Sequence, residues 1–407
     1  MENAIVLGGT GPHVMLVEKL KARGFHVILA DYLPFPVAKN NADEHIQIST
    51  LDKEAVLALA QKRHASLVVS TCIDQANATA CYVAEKMGLP RPYDYETAVN
   101  VTDKVRMKEI MIRGGIPTSR FCSVDSVDAL DLVDLHYPLI VKPVDCNSSK
   151  GITRVDNKVS LSSAILKAVG CSRTHNAIVE EFVCGTEVGI DCFVTQGCAK
   201  VLMIKERRKI VKNNGGIQQI FGCTWPLPGY EKILEVASSV AQRIALAFGL
   251  VNSALMIQAI LKDDGSLNVI EFGARIGGGE SFRIIKSSTG FDYVEAAINT
   301  FTGECCRQVS RAPDGFFADN FIYSTECTFG ELVVPDRLMD GGVVEYWNSL
   351  RMPGAKIGGE ISSNNRVGVV VAKSQDPDEL QEKIQTIIRN VEVYDINHKP
   401  VMRHDIY

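Results

Sequence analysis

Short apolar runs alternate with helix-period patterns along the first part of the chain. Strands are predicted over residues 4–7, 26–30, 45–48 and 67–70. Helices are predicted between them, beginning near Pro12, Asp52 and Asp74 and marked by apolar residues at helical spacing. This alternating order predicts a parallel sheet with helices on both faces.

The pattern changes after residue 95, where strands follow one another more closely. A helical stretch runs from Tyr95 to Gly114 and Gly115, which mark a helix end. Strands are predicted over residues 138–143, 177–183, 188–195 and 199–205, and helices over 160–168, 230–249, 280–287 and 292–301. From residue 312 onward a smaller α+β unit is predicted, with a strand over 367–372 and a helix over 378–390.

Two apolar runs, residues 253–261 and 267–272, are separated by a short charged segment and predict a β-hairpin. The Asp-Gly dipeptide at residues 264–265 is placed at the turn centre because it is a strong signal for a tight primed turn. Counting outward then sets Gln258 opposite Glu271 on one face of the hairpin. The same count pairs Asp263 with Ser266 and adds Met256, Ile260, Leu267 and Val269 to that face.

The pair of oxygen-bearing side chains on this face has two interpretations. A carboxylate and an amide on an otherwise apolar surface suit Mg²⁺, which takes oxygen ligands and shares them with substrate phosphates. The alternative is a two-stranded ribbon of the core, in which Gln258 and Glu271 have only structural partners. The hairpin alone does not decide between them.

Composition and charge narrow the classes of function. The chain has 407 residues, of which 46% are hydrophobic and 22% charged, as is ordinary for a soluble globular protein of two or three domains. The net charge of −5 and the lack of long Lys/Arg runs argue against nucleic-acid and membrane-surface partners. The N-terminus lacks a signal-peptide pattern, and the 12 cysteines contain no C-x-x-C pair, which predicts buried, reduced thiols in a cytoplasmic protein.

A loop flanked by lysines is a candidate phosphate site. Lys142 lies near the end of the predicted strand over residues 138–143, and the small, polar segment 145–151 that follows contains Lys150 and Gly151. Exposed backbone N–H groups of Ser and Gly residues between two lysines are able to cradle phosphate oxygens. The alternative is an ordinary polar hairpin loop.

The glycine turn after the first strand favours a different ligand. Gly9 and Gly11, followed by Asp31, match part of a dinucleotide-binding fingerprint and would suit an NAD-dependent oxidoreductase. The third glycine position holds Val14, however, and the α/β pattern ends too early for both mononucleotide halves. We therefore expect a helix N-terminus that faces some anionic group rather than an NAD site.

Taken in order, these motifs resemble those of the ATP-grasp superfamily over roughly residues 1–310. The resemblance implies a fold class that combines α/β and α+β parts. A Rossmann-like domain (residues 1–95) would precede a two-lobed ATP-grasp domain (residues 96–310, with a lid lobe over about 116–182) and a small C-terminal α+β domain (residues 311–407). The implied cofactors are ATP and Mg²⁺.

The resemblance also assigns nucleotide-binding residues. Lys104, within Thr-Asp-Lys, resembles the lysine that reaches the α-phosphate, and Lys142 resembles the lysine that contacts the α- and β-phosphates. The implied phosphate-covering loop contains Ser148, Ser149, Lys150 and Gly151. The implied hinge between the lobes consists of Glu180, Glu181, Phe182 and Val183. The backbone of Glu180 and Val183 would meet the adenine, and Glu187 would reach the ribose.

Further assignments concern the metal and the transferred phosphate. Gln258 and Glu271 fall where the family has two metal ligands, and Arg275 falls where it has an arginine that steadies the transferred phosphate. Lys205 and Arg207 are candidates for contact with the γ-phosphate or the acceptor substrate. Gly273 departs from the family, which usually has Asn there, so that Mg²⁺ would take a water or phosphate oxygen or a second metal would be weakly held.

The activity that the resemblance implies is that of an ATP-dependent carboxylate–amine ligase. The carboxylate would be activated as an acylphosphate, and the amine of an amino acid or a small biosynthetic acid would displace phosphate. The expected partners are small-molecule carboxylate and amine substrates, and a homodimer stays open because relatives are commonly homodimeric. The alternatives are a bicarbonate-using carboxylase of the same superfamily, an NAD(P)-dependent oxidoreductase and a non-catalytic ATP-binding module.

Overall fold

The computed structural model describes residues 2–126, 134–146, 151–210, 219–304, 306 and 314–407. Ser148, Ser149 and Lys150 of the predicted phosphate-covering loop lie outside the described residues. Within the described part, no helix is both long enough and apolar enough to cross a membrane.

The N-terminal part is a four-stranded parallel sheet with helices on both faces, as predicted. Its strands are β1 (Asn3–Leu7), β2 (His26–Asp31), β3 (Glu44–Gln47) and β4 (Ala65–Val69), and its helices are α1 (Gly11–Ala22), α2 (Lys53–Lys62) and α3 (Asp74–Met87). The strand order is β3-β2-β1-β4, and every pairing is parallel. Strands β1, β2 and β4 are almost fully buried, as is usual for parallel strands covered on both faces, whereas the edge strand β3 is only half-buried.

The single helix predicted between Tyr95 and Gly114 is in fact two helices. They are α4 (Tyr95–Asn100) and α5 (Lys104–Arg113). The break occurs at Asp103, whose extended backbone (φ −87°, ψ 116°) ends one helical path and whose carboxylate caps the next. An Asp at this position satisfies backbone N–H groups that the first turn of a helix leaves unpaired.

A second sheet, of four strands, is formed by residues that follow α5 along the chain. It contains β5 (Phe121–Val124), β6 (Leu139–Pro143), β7 (Thr153–Val155) and β8 (Ala177–Glu181), in the order β5-β8-β6-β7, and all of its pairings are antiparallel. Helix α6 (Lys158–Cys171) covers one face, and Leu161, Ile165 and Ala168 pack against Val141 and Val179 there. The opposite face carries the side chain of Lys142, which alternates with Val141 along β6.

The largest sheet has eight strands and includes the predicted hairpin. The elements that follow β8 along the chain, whether or not they belong to this sheet, are first β9 (Thr186–Thr195), β10 (Cys198–Lys209), β11 (Ile220–Trp225), α7 (Tyr230–Ala247), β12 (Ser253–Leu261), β13 (Leu267–Gly273), α8 (Ser281–Thr289) and α9 (Tyr293–Thr302). The later elements are β14 (Phe316–Tyr323), β15 (Cys327–Val333), α10 (Asp336–Asp340), β16 (Tyr346–Ser349), β17 (Lys356–Ile357), β18 (Arg366–Ser374), α11 (Pro377–Asn390) and β19 (Glu392–Asp395). The strand order is β13-β12-β9-β10-β11-β14-β18-β16, and β17-β15-β19 form a small third layer. Parallel and antiparallel sheets in one chain confirm the predicted α/β and α+β fold class.

Strands on the two sides of residue 310 belong to the same sheet. β11 pairs with β14 antiparallel, and Trp225 packs on Phe317 with their ring centroids 5.7 Å apart. The described residues from 314 onward therefore add strands to the central sheet. The domain boundaries drawn from the sequence stay predictions.

The hairpin of β12 and β13 pairs Gln258 with Glu271, as predicted, although its turn differs. The N–H of Lys262 donates to the carbonyl of Ser266 at 2.9 Å, so the predicted pairing of Asp263 with Ser266 is wrong by one residue. A bulge at Ile270 supplies the extra residue that restores the predicted pair.

The bulge also changes which residues share a face. Val269 pairs with Ala259, and Leu267 pairs with Leu261, so Val269 lies on the face opposite to Gln258. Both residues are buried in the main core. The prediction that Leu267 and Val269 line the Gln258 face was therefore wrong, because a single inserted residue reverses the alternation of a strand.

Candidate active site

A row of polar residues crosses four neighbouring strands of the central sheet. Glu271 on β13 pairs with Gln258 on β12, Gln258 with Gly189 on β9, and Gly189 with Lys205 on β10. Directly paired residues share one face of a sheet. Gly189 has no side chain, and a Cβ there would lie 2.8 Å from Cε of Lys205, so the lysine side chain runs across the glycine. One face of the sheet thus collects the predicted metal ligands and a buried cation.

Lys104, the first residue of α5, contacts this row. Its Nζ lies 3.1 Å from Oε2 of Glu271 and donates to the carbonyl of Cys146 at 3.1 Å. Burial raises the pKa of the Glu271 carboxyl, but the ammonium groups of Lys104 and Lys142 outweigh burial and hold that pKa at about 2. Glu271 is therefore ionised at neutral pH, as a metal ligand must be.

A buried carboxylate lies between two lysines at the end of β8. Nζ of Lys142 is 2.5 Å from Oε1 of Glu180, and Nζ of Lys108 is 3.0 Å from Oε2. Burial raises the pKa of Glu180, whereas the two lysines lower it further than burial raises it. Lys108 also donates to Oγ1 of Thr118 at 2.6 Å. All three charges are almost fully buried, so the ion pairs compensate for lost hydration.

Two more ion-paired clusters lie on the same face along β9 and β10. Nζ of Lys205 is 2.9 Å from Oδ2 of Asp191 and also donates to the hydroxyl of Ser281. Nε of Arg207 is 2.8 Å from Oε1 of Glu187, and that carboxylate also pairs with Lys209. Burial raises the pKa of Glu187, but Arg207 and Lys209 lower it below its usual value.

Arg275 follows β13 and is held by the N-terminal part of the chain. Its Nε donates to Oδ1 of Asp74 at 2.8 Å, and its Nη2 donates to Oδ2 at 2.7 Å. A bidentate contact of this kind fixes the orientation of a guanidinium group. Gly273 lies beside the pair, because a Cβ there would be 2.7 Å from Oδ1 of Asp74 and 3.1 Å from the guanidinium.

The predicted hinge begins where β8 ends. The N–H of Glu181 donates to the carbonyl of Arg120, and the N–H of Phe182 donates to the carbonyl of Pro138. Neither of these two hydrogen bonds involves the N–H of Val183, whose backbone is predicted to contact the adenine. Near the same sheet, Gly151 has φ +74°, and a Cβ there would lie 2.8 Å from Pro143, so this position requires glycine.

The polar row suits Mg²⁺ better than a metal bound by several acids or histidines. Among the described residues, no group of three or more His, Cys, Asp or Glu side chains is placed to hold a metal. Mg²⁺ usually takes one or two protein carboxylates and completes its octahedron with water and phosphate oxygens. An ionised Glu271 opposite the amide of Gln258 fits that requirement.

The family model for the ATP-grasp domain matches residues 135–282. The chain contains an ATP-grasp domain. The matched stretch includes β6, the hinge, the β9–β10 pair and the whole β12–β13 hairpin, which carry most of the contacts described above.

Individual relatives agree with an ATP-grasp assignment. The L-arginine-specific L-amino acid ligase of Bacillus subtilis is 26% identical over 240 residues, which span 57% of this chain and 56% of that ligase. The chain therefore covers little more than half the length of this curated relative.

Solved structures extend the likeness over nearly the whole chain. An L-amino acid ligase from Bacillus licheniformis superposes with a TM-score of 0.81 at 21% identity, covering 97% of this chain and 99% of that one. The biotin carboxylase domain of the Hydrogenobacter thermophilus 2-oxoglutarate carboxylase gives a TM-score of 0.78 at 18% identity, covering 98% and 91%. At these identities the likeness shows a shared fold.

The structure brings three of the residues predicted for the ATP-grasp site together in one pocket. Lys104, Glu271 and Arg275 line one pocket together with Asp74, Thr102 and Met256. Lys142 lies near enough to this pocket for its ammonium group to lower the pKa of Glu271. Lys142 also pairs with Glu180. Glu187, Lys205 and Arg207 lie further along the sheet face, each with an acidic or basic partner.

Sequence reasoning missed two charged residues of this site. Lys108 follows Lys104 by four residues and lies on the same side of α5, so helical spacing was an available signal. Asp74 lies 201 positions from its partner Arg275, and no local pattern connects them.

The dinucleotide interpretation of the first glycine turn meets a structural obstacle. Both oxygens of Asp31 are engaged, since Oδ2 accepts from the N–H of Gly9 and Oδ1 from the N–H of Leu33, each at 2.8 Å. The acid that would bind a ribose thus closes the turn itself. Cys72, Cys81, Cys192 and Cys223 are buried free thiols, as predicted, whereas Cys122, Cys171 and Cys327 are half-buried and Cys184 and Cys198 are exposed.

Proposed function

We propose that this chain is an ATP-dependent ligase that activates a carboxylate as an acylphosphate and joins it to an amine, releasing ADP and phosphate. The observation that supports this most directly is the pocket in which Lys104, Glu271 and Arg275 meet. Bringing a carboxylate to a nucleoside triphosphate joins two anions, so such a reaction needs several fixed cations beside a metal-binding carboxylate.

In this proposal, lysines hold the phosphates of ATP. Lys104 and Lys142 are almost fully buried, and each pairs with a carboxylate, that of Glu271 and that of Glu180 respectively. These carboxylate oxygens occupy positions that suit anionic oxygen atoms. Phosphate oxygens would take over these contacts when ATP binds. The covering loop with Ser148, Ser149, Lys150 and Gly151 would close over the phosphates, and the hinge formed by Glu180, Glu181, Phe182 and Val183 would hold the adenine, with Glu187 near the ribose.

Gln258 and Glu271 are the proposed ligands of Mg²⁺. The bound cation would neutralise charge on the phosphate oxygens and fix their geometry. The chain keeps the carboxylate ready for this role, since Glu271 is ionised well below neutral pH. The paired strands of the hairpin hold the amide and the carboxylate on one face.

Catalytic contacts are proposed for Arg275, Lys205 and Arg207. The guanidinium of Arg275, oriented by Asp74, would stabilise charge on the phosphoryl group in transfer. Lys205 and Arg207 lie on the same sheet face and would contact the γ-phosphate or the acceptor. Each is kept protonated by a carboxylate, because Asp191 and Glu187 raise the pKa values of Lys205 and Arg207 beyond what burial removes.

We also infer that both substrates are small molecules and that the enzyme works in the cytoplasm. The buried free thiols of Cys72, Cys81, Cys192 and Cys223 support a reducing compartment. The proposed organisation is a nucleotide-binding-like unit over residues 1–95, an ATP-grasp unit over 96–310 and a C-terminal unit over 311–407, with a homodimer as the proposed assembly.

The test is phosphate release from ATP and Mg²⁺ with a panel of amino acids, small carboxylic acids and bicarbonate. Release that requires a carboxylic acid and an amine together is expected, and Glu271→Ala should lower it on the order of 100-fold or more. Asp263→Ala is the matched control, because Asp263 is an exposed acid at the turn of the same hairpin.

Two results would contradict this proposal. Phosphate release that persists in Glu271→Ala would exclude the metal site. Release that depends on bicarbonate alone would assign the protein to carboxylation instead.

A further inference from the structure

Residue 273 is a position on the site-facing side of β13 that contributes no side chain. Gly273 pairs with Met256, and Glu271 pairs with Gln258, so residues 271 and 273 point to the same face of the hairpin. Any side chain at 273 would therefore point toward the proposed metal site. The strand itself offers the cation only one carboxylate.

The space beside Gly273 is filled by a carboxylate from the N-terminal part of the chain. Oδ1 of Asp74 lies 2.7 Å from the position that a Cβ of residue 273 would take. Asp74 also lines the same pocket as Lys104 and Glu271. An oxygen thus occupies the place where a ligand side chain from residue 273 would be.

The contact with Arg275 leaves Asp74 able to bind a cation as well. An ionised carboxylate has about four lone-pair positions, and Arg275 uses two of them. Asp74 begins α3, whose first turn favours a negative charge, so the carboxylate is positioned by a regular element rather than by a mobile loop.

We propose that Asp74 is a third protein oxygen ligand of the nucleotide-bound Mg²⁺, supplied to the hairpin by the N-terminal part of the chain. This inference rests on the proposed function, since it assigns a ligand to the same metal. It accounts for Gly273, because a larger residue there would collide with Asp74. It also makes the metal site depend on contact between the parallel sheet and the central sheet.

The experiment measures Mn²⁺ binding to the full-length protein in the presence of ADP by electron paramagnetic resonance, without turnover. Asp74→Ala should weaken Mn²⁺ binding on the order of 10-fold or more, whereas Asp74→Asn keeps a side-chain oxygen and should weaken it less. Asp74→Ala combined with Gly273→Asn should recover much of the loss, because the removed carboxylate leaves room for an amide oxygen from residue 273. Glu96→Ala is the control, as Glu96 is an exposed acid in the first turn of α4.

The outcomes separate this inference from the proposed function. Wild-type Mn²⁺ affinity in Asp74→Ala, with an unchanged unfolding midpoint without metal, would overturn it and leave Asp74 only as a group that orients Arg275. Failure of the double variant to bind Mn²⁺ more tightly than Asp74→Ala would also overturn it. If instead the wild type and Glu271→Ala bind Mn²⁺ and ADP equally, the proposed metal site itself is wrong.

Discussion

At the scale of single residues, Glu180 is a charge shared by two lysines that belong to different elements. Lys142 comes from β6 and Lys108 from α5, and both reach the same carboxylate. Burial lowers the pKa of Lys108, and the nearby Lys142 lowers it further, which Glu180 offsets only in part. When phosphate attracts Lys142, Lys108 would keep Glu180 paired, so that no buried charge is left alone.

We predict that Glu180→Ala destabilises the nucleotide-free protein by about 3–5 kcal/mol, because it leaves two buried lysines without their carboxylate. The neighbouring Glu181→Ala is the matched control. Glu181 pairs with Arg120 at 3.1 Å, but the arginine side chain is 55% exposed, and loss of such a pair should cost about 0–1 kcal/mol. Urea unfolding of both variants checks this, and equal losses would show that burial of the Glu180 ion pairs does not matter.

At the scale of elements, the start of α5 fixes where Lys104 points. The carboxylate of Asp103 accepts from the N–H groups of Val105 and Arg106, both at 3.0 Å, and Lys104 is the residue between the cap and those amides. The cap therefore sets the first turn of the helix that carries a proposed phosphate ligand.

We expect Asp103→Ala to lower stability by about 1 kcal/mol and to weaken ATP binding, since the frayed first turn would release Lys104. Asp94→Ala provides the comparison, because Asp94 caps α4 through the N–H of Thr97 at 2.7 Å but precedes no site residue. Calorimetric titration with ATP should show weaker binding only for Asp103→Ala. A similar loss in both variants would mean that the effect reflects general stability.

At the scale of the whole molecule, one continuous sheet links the proposed site to the C-terminal part. Strands β11 and β14 are paired, and Trp225, Phe317 and Tyr323 belong to the same buried core. Ion pairs connect the N-terminal part to the residues that follow the hairpin. Asp74 pairs with Arg275 and Lys19 pairs with Asp292, each at 2.7 Å.

We predict that a chain ending at residue 310 aggregates, because removal of β14 leaves β11 as an exposed, largely apolar edge strand. Co-expression of residues 311–407 as a separate chain should restore a soluble complex through the same pairing. Size-exclusion chromatography distinguishes the outcomes. A soluble, cooperatively folded 1–310 chain would show that the C-terminal part is an independent domain.

The sequence by itself determined the parallel sheet, the hairpin and their local chemistry, whereas strands such as β5, β11 and β14 were not predicted from it. Periodicity identified the parallel sheet, and the Asp-Gly turn placed Gln258 opposite Glu271, because these features depend on residues close together in the chain. The count nevertheless reached the correct pair through a wrong turn and an unforeseen bulge at Ile270. Local rules do not specify where a strand takes an extra residue, since that depends on the packing of its faces.

Only the tertiary structure decided which distant charges meet. Asp74 and Arg275 are 201 positions apart, and Lys108 and Glu180 are 72 apart by their numbers. Nothing in the local sequence of Asp74 distinguishes it from other acids that begin helices. Its role follows from the docking of one sheet against another, and that docking depends on buried surface and charge pairing summed over the whole fold.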